Sequence, residues 1–235
     1  MLALVERLRA VALRAGRRGE PMPGEPTLAQ HLGVSRPSVR EGLVRLEAEG
    51  LIRRRKGADT VVNPGAIEML ARFDQQVEFA DLLRQAGFEP TMELLEATTV
   101  PLSERDAKAL GRAAGTPSLR TVKRWRADGA PVMVAVDVVP APDGDADRLV
   151  ALDPEAGLFE LVRSLTGDVV EWELAWPGAE PLRGPLRRWL DGSAGGVVLT
   201  LDLVGVSRRG ARVYHALEYH VPGAVPSGFI RSVRG

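Results

Sequence analysis

One short stretch constrains this chain more than any other: EPTLAQHLGVSRPSVREGLVRLEAEGLIRRRKGADTVV, residues 25–62. Leu28 and Leu32 are four apart, which predicts a short helix over 27–32 with Thr27 as a candidate cap. Gly33 supplies a tight turn. Ser35 is a natural N-cap for a further helix over 36–49, with Val39, Leu43 and Leu46 as its buried stripe. Pro37 is tolerated in the first turn, where its missing N–H would have no intrahelical partner. Gly50 ends this helix. LIRRR (51–55) and TVV (60–62) then read as two strands joined by KGAD. Upstream, Leu2, Val5, Leu8 and Ala12 recur at helical spacing and predict a first helix over 2–15, ended by Gly16. The Gly- and Pro-rich segment 16–26 is expected to be irregular. Three helices and a terminal hairpin make a winged helix-turn-helix over residues 1–62.

Such a unit has a direct use. A helix enters a DNA major groove when one face holds it to the protein and the other offers polar side chains to base edges. Arg36, Ser38 and Arg40 sit at the N-terminal end of the helix over 36–49, where free N–H groups also favour phosphate. Ser35 combines capping with proximity to the same surface. Arg54, Arg55 and Lys56 fall at the hairpin tip, where they can track phosphates. Gly57 allows the turn, Thr60 is a candidate phosphate contact at the wing base, and Thr27 can touch phosphate while capping. Each has a plainer alternative: Arg36 and Arg40 paired with Glu41 or Glu47, the serines as caps, and the basic run as a solvated loop.

Charge supports the DNA reading. The chain is neutral overall, with 31 Lys and Arg against 31 Asp and Glu. Residues 1–60 nevertheless carry 12 basic against 7 acidic side chains, leaving 19 against 24 for the rest. A basic head on a mildly acidic body suits a DNA-binding unit joined to a soluble one. The absence of cysteine excludes disulfides, thiolate nucleophiles and Cys-based zinc sites. With three histidines, no metal site and no cofactor are expected. No apolar run approaches the roughly 20 residues of a membrane helix. The amphipathic opening MLALVERLRAVALRAG is not a signal sequence, so the expected location is the cytoplasm.

Residues 63–74, beginning NPGAI, read as a linker. The remainder, 75–235, reads as α+β. Helices are expected over 75–86, 103–111, near 157–165 and after Pro185. Strands are expected within 91–100, over 118–127 and 131–139, near 169–176, and over 196–207 and 211–221. Asp128-Gly129 between two strand-like runs is a strong hairpin signal. The expectation is an antiparallel sheet with helices, not a doubly wound parallel fold.

The stretch over 21–62 resembles the GntR superfamily of bacterial regulators. The match runs through Glu25, Leu28-Ala29, LGVSR (32–36), VRE (39–41), Leu43, Leu46, EGLI (49–52), Gly57, Thr60 and Val62. The resemblance implies that Glu25, Arg36, Ser38, Arg40 and Gly57 face operator DNA. There are departures. MPGEP replaces the usual LPSE-type segment, leaving Gly24 at the common Ser position. Asp59 replaces the second wing glycine, and Ala58 stands where a basic residue is frequent.

The region over 75–235 resembles the UTRA effector-binding domain of the HutC subfamily. FADLLRQAGFEP resembles its opening helix, and PLSERDAKALGRAAGTP the lead into its first hairpin. KRWRADGAPVMVAVDVVP resembles the family stretch R-x-R-x-x-D-G-x-P with its following strand and proline. The implied fold is chorismate-lyase-like, used for ligand binding. The implied partners are double-stranded operator DNA, a second copy of the chain in a homodimer, and a small-molecule effector.

Arg124 and Arg126 are candidate effector contacts, and their guanidinium forks suit an anionic ligand. Asp137, Tyr214 and Glu218 are further candidates. Ala135 stands where the family often has Glu, which puts a standard amino-sugar phosphate in doubt. Two rivals remain at this point: an architectural DNA-binding protein with a degenerate sensor, and a chorismate-lyase-like enzyme. No catalytic acid–base pair or nucleophile network stands out, so the chain is not expected to be an enzyme.

Overall fold

The computed structural model describes residues 2–55, 57–69, 71–72, 78–192 and 196–230. They divide into two compact units, one within Met1–Gln75 and Pro226–Gly235, the other within Gln76–Val225.

The first unit opens with helix α1 (Leu2–Arg17), which buries Leu4, Val5, Leu8, Ala12 and Ala15. It runs through Gly16 instead of ending there. A Cβ at Gly16 would stand 2.1 Å from Ile67 Cδ1, so glycine permits close packing, and Gly19, with φ 68°, makes the break. Helix α2 (Glu25–Leu32) starts two residues earlier than predicted, after Gly24, so Thr27 lies inside it and is not its cap. Gly33 closes α2 in the left-handed conformation.

Helix α3 (Arg36–Ala48) is capped as expected: Ser35 Oγ accepts from the Ser38 N–H at 3.3 Å. Val39, Gly42, Leu43 and Leu46 form its buried stripe. Gly42 lies against Leu8 so closely that a Cβ would meet Leu8 Cδ1 at 2.4 Å.

The wing hairpin is shorter than the sequence suggests. Strands β1 (Ile52–Arg53) and β2 (Val61–Val62) pair antiparallel over two residues. The neighbouring backbone groups go elsewhere: the Arg54 N–H donates to Glu47 Oε1, and the Thr60 carbonyl accepts from the Met22 N–H.

Residues 64–68, expected in the linker, form helix α4 (Pro64–Glu68), capped by Asn63. Ala66 and Ile67 join the core of the first unit. Strand β3 (Ala71–Arg72) follows.

The second unit begins with helix α5 (Phe79–Gln85). Then come strand β4 (Pro90–Pro101), helix α6 (Glu104–Leu110), and strands β5 (Pro117–Ala127) and β6 (Ala130–Pro140). Asp128 and Gly129 both have positive φ, as a two-residue hairpin turn requires. A 3-10 turn over Pro142–Gly144 leads to helices α7 (Asp147–Val150) and α8 (Leu158–Thr166). Strand β7 (Val170–Pro181), helix α9 (Gly184–Trp189), and strands β8 (Val197–Ser207) and β9 (Arg212–His220) complete the unit.

The sheet is six-stranded, in the order β4-β5-β6-β9-β8-β7, and every adjacent pair is antiparallel. Alternation along the strands divides the helices between its faces. On one face Val122, Val134 and Val198 pack with Leu186 and Leu190 at α9, and Val138 packs with Ala107 and Leu110 of α6. There His215 ties α6 to the sheet, its Nδ1 2.6 Å from Asp106 and its Nε2 2.8 Å from Asp202. On the other face the Phe79 ring of α5 meets Trp125 and His220, and Phe159 of α8 meets Tyr214.

The chain then returns to the first unit. Strand β10 (Ser227–Gly228) pairs parallel with β3, and Ile230 packs on the first unit's core. Among the described residues, no helix is long and apolar enough to cross a membrane.

Candidate nucleic-acid interface and effector site

Hydrogen bonds join Glu25 to Arg40 and Arg54, and Arg55 and Thr60 line the same cleft as Glu25 and Arg54. The buried stripe of α3 turns Arg36 and Arg40 outward, and both are exposed. Ser38 is half-buried, and its hydroxyl lies 2.8 Å from that of Ser35. The Ser35 hydroxyl is thus occupied as a cap. Glu25 opens α2 beside them. Its Oε2 accepts from Arg40 Nη2 at 2.9 Å, and its Oε1 from Arg54 Nη2 at 2.9 Å. The alternative pairing of Arg36 and Arg40 with Glu41 or Glu47 is not found among the described contacts; Arg40 pairs with Glu25.

A cleft of about 330 Å³ lies at the wing base, lined by Gly24, Glu25, Arg54, Arg55, Asp59 and Thr60 among others. Arg55 and Gly57 are exposed, and Gly57 has φ 76°, which makes glycine the fitting residue for the turn. Arg54 is half-buried and paired, so it braces the wing rather than standing free at its tip. Thr27 is exposed on α2. Lys56 lies outside the described residues.

The electrostatics follow the contacts. The hydrogen bonds from Arg40, then the charges of Arg40, Arg54 and Arg36, hold the Glu25 carboxyl below the usual carboxylate range.

The five effector candidates do not converge. Arg124 and Arg126 lie on the α9 face. Arg124 donates to Glu93 through Nε at 3.0 Å and to Asp191 through Nη1 at 2.7 Å. Arg126 donates to Glu93 at 2.7 Å and to Asp191 at 2.6 Å. Two guanidinium groups and two carboxylates close a neutral network, so both arginines are already ion-paired. Hydrogen bonds from these arginines hold Glu93 and Asp191 below their usual range.

Asp137, Tyr214 and Glu218 lie on the opposite face, toward α5 and α8. There Thr121 Oγ1 donates to Asp137 Oδ2 at 3.3 Å, and Asp137 is 3% exposed. Burial raises the Asp137 carboxyl to about 6, opposed by the nearby Lys123 charge and assisted by Glu218. Glu218 bonds His220 at 2.8 Å. Tyr214 is fully buried and donates its hydroxyl to Glu173, which makes it a core residue, and burial pushes its phenol well up.

Lys123 is the residue that sequence reasoning missed. It is 3% exposed, sits on the Asp137 face, and donates to the Ala156 carbonyl. Burial lowers its ammonium, against the pull of Asp137, Glu78 and Asp153. Glu78, at the start of α5, is raised by burial and by Asp81. The signal was present. Counted back from Asp128, the R-x-R-x-x-D-G pattern places its two basic positions at Lys123 and Trp125, not at Arg124 and Arg126.

Among the described residues, no group of three or more His, Asp or Glu is placed to hold a metal ion.

Residues 3–62 match the family model described as bacterial regulatory proteins, gntR family. Residues 85–224, more than half of the chain, match the UTRA domain. The uncharacterized HTH-type transcriptional regulator RB1450 of Rhizobium meliloti is 33% identical over 120 residues, covering 51% of this chain and 49% of that protein. The chain spans half or less of the length of the curated relatives it matches. Two solved structures share the fold. YydK of Bacillus subtilis superposes with a TM-score of 0.71 at 13% identity, over 99% of this chain and 98% of that one. PhnF of Mycobacterium smegmatis gives 0.60 at 20% identity, over 95% and 100%.

Proposed function

Because the chain belongs to the GntR family of bacterial transcription regulators and carries that family's UTRA domain, we propose that it binds operator DNA through its first unit and changes that affinity when a small molecule binds its second. The observation that carries the DNA reading is the division of α3: one face is buried in the core, while Arg36 and Arg40 stand exposed at its N-terminal end. Arg36 and Arg40 are the base or phosphate contacts, with Arg55, Gly57 and Thr60 of the wing on the flanking backbone. Lys56 and Thr27 are assigned to phosphate by sequence alone.

The effector site belongs on the sheet face toward α5 and α8. That face holds Lys123, Asp137 and Glu218, whereas Arg124 and Arg126 are already neutralised on the other. A buried ammonium, the buried Asp137 carboxyl and the half-buried Glu218 supply polar groups on one face that a ligand can satisfy.

Two copies would read a pseudo-palindromic site. Trp172, Leu174 and Trp176 project from one face of the edge strand β7 at 67%, 41% and 54% exposure, which supports a reading of this face as the dimer surface. A repressor released by its effector is the working scheme.

Capture of genomic fragments by the purified full-length protein, followed by sequencing, tests the proposal. A small set of enriched palindromic sites supports it. Even recovery across the genome would favour an architectural DNA-binding protein instead.

A further inference from the structure

We propose that Glu25 is a positioning residue of the DNA-reading surface: its carboxylate ties Arg40 of α3 to Arg54 of the wing and fixes the direction in which Arg40 meets a base. This rests on the DNA-binding reading above and adds a division of labour within it.

A carboxylate facing DNA is unfavourable on charge alone, because it repels phosphate. It can read a base directly by accepting from the cytosine amino group, but it needs a free lone pair to do so. Both Glu25 oxygens are engaged. Oε2 takes Arg40 Nη2 at 2.9 Å and Nε at 3.3 Å, while Oε1 takes Arg54 Nη2 at 2.9 Å.

The acid is itself well held. It is the first residue of α2, and its side chain is 20% exposed against 63% for Arg40. Arg54 is fixed from a second direction, since its backbone N–H donates to Glu47 Oε1 at 2.8 Å. The wing base, α2 and α3 therefore meet at one carboxylate.

The consequence falls on Arg40. With Nε and Nη2 turned to Glu25, Nη1 makes no hydrogen bond among the described residues. The guanidinium plane is set before DNA arrives, with that edge left to offer. An unrestrained arginine would have to lose its side-chain freedom on binding, and could settle equally well on a phosphate. Glu25 thus favours the base contact twice, by orienting Arg40 and by discouraging the phosphate alternative.

The test is a double-mutant cycle on the full-length protein. Sites are first selected by the wild type from a random DNA pool. Affinities of wild type, E25A, R40A and the double variant are then measured for the selected site, its single-base variants and random DNA. Glu25→Ala is expected to lose about tenfold or more of discrimination at the base pair that Arg40→Ala also relaxes. The double variant is expected to match R40A within about twofold, because the two residues act as one unit. Random DNA is expected to bind E25A more tightly, with a salt dependence steeper by about one ion as Arg54 becomes free for phosphate.

A loss at a different base pair, adding fully to that of R40A, would mean that Glu25 reads its own base, and would overturn the proposal. Unchanged base preference in E25A would overturn it as well. A general loss of stability would lower operator and random binding together and show in the melting curve. Glu25→Gln, which keeps one acceptor oxygen, then carries the same comparison and is expected to retain part of the discrimination. Failure of the wild type to select any site would sink the DNA reading itself, and is seen before any variant is compared.

Discussion

Tyr214 lies directly across the sheet from Gly205, so closely that a Cβ on residue 205 would stand 2.0 Å from the tyrosine ring. The glycine is there to make room for the ring, and the ring covers the backbone that the glycine exposes. Gly205→Ala is therefore expected to destabilise the second unit by about 3 kcal/mol, the upper range for overpacking. Tyr214→Phe, which removes the hydroxyl bonded to Glu173, is expected to cost about 1 kcal/mol. Urea denaturation followed by tryptophan fluorescence measures both. A stable G205A protein would contradict this packing.

Asp137 gives a pH dependence of definite sign. Its folded-state value is raised to about 6 from 3.8. The folded protein therefore holds this proton more tightly than the unfolded chain, and stability falls as pH rises from about 4 to 6. The effect is on the order of 3 kcal/mol across that window, from the linkage between pKa and stability. Carboxylates held low by arginine, such as Glu93 and Asp191, act in the opposite sense. The contribution is thus read as the difference between wild type and Asp137→Asn. The variant is expected to gain stability relative to wild type at pH 7 but not at pH 4. Parallel melting-temperature curves for the two proteins would contradict the burial of a carboxyl here.

The two faces of the second unit separate the basic residues by role. Arg124→Ala breaks a network whose arginine side chains are 13% and 17% exposed, and is expected to cost about 3 kcal/mol while leaving the effector response intact. Lys123→Met is expected to abolish that response with less loss of stability, since it removes a buried charge. Genes beside the captured operators supply candidate effectors, and effector-induced release from DNA is the readout. Loss of response in R124A but not in K123M would return the site to the α9 face.

Ile230 predicts a link between the tail and the first unit. A Cβ on Gly50 would stand 2.6 Å from Ile230 Cγ2, so the tail residue lies against the turn that follows α3. Ile230→Asp is expected to lower the stability of the first unit by about 2 kcal/mol, within the range for losing a partly buried aliphatic contact. Hydrogen exchange at Gly50 and Leu51 is expected to quicken. Unchanged exchange would show that the tail contributes nothing there.

The sequence made the first unit legible because its signals are local. Ser35 caps α3, Val39, Leu43 and Leu46 repeat on one face, and Gly33 and Gly57 stand where φ is positive. Glu25 was identified by resemblance, but its grip on Arg40 and Arg54 joins residues 15 and 29 positions away, which no local pattern encodes. The same holds for Ile230 and for the two-residue pairing of β10 with β3. In the second unit the strands followed alternation and the Asp128-Gly129 turn. The faces were harder. Arg124 and Arg126, two apart on β5, share one, because the bulge between Trp125 and Arg126 affects only their partner strand's register. Their partner Asp191 is 65 residues from Arg126, so their neutralisation could not be seen. Nothing in the strand pattern marks Lys123 as buried, because a lysine between strand residues ordinarily points to water.

The most direct test of the account is the affinity of the full-length protein for its captured fragment and for a scrambled duplex of equal length, measured by fluorescence anisotropy at low and physiological salt. The preference for the captured sequence is expected to reach about a thousandfold, as for specific regulators, and to persist at physiological salt. Equal affinity for the two duplexes, falling together as salt rises, would mean that α3 meets phosphates alone and would contradict the central claim.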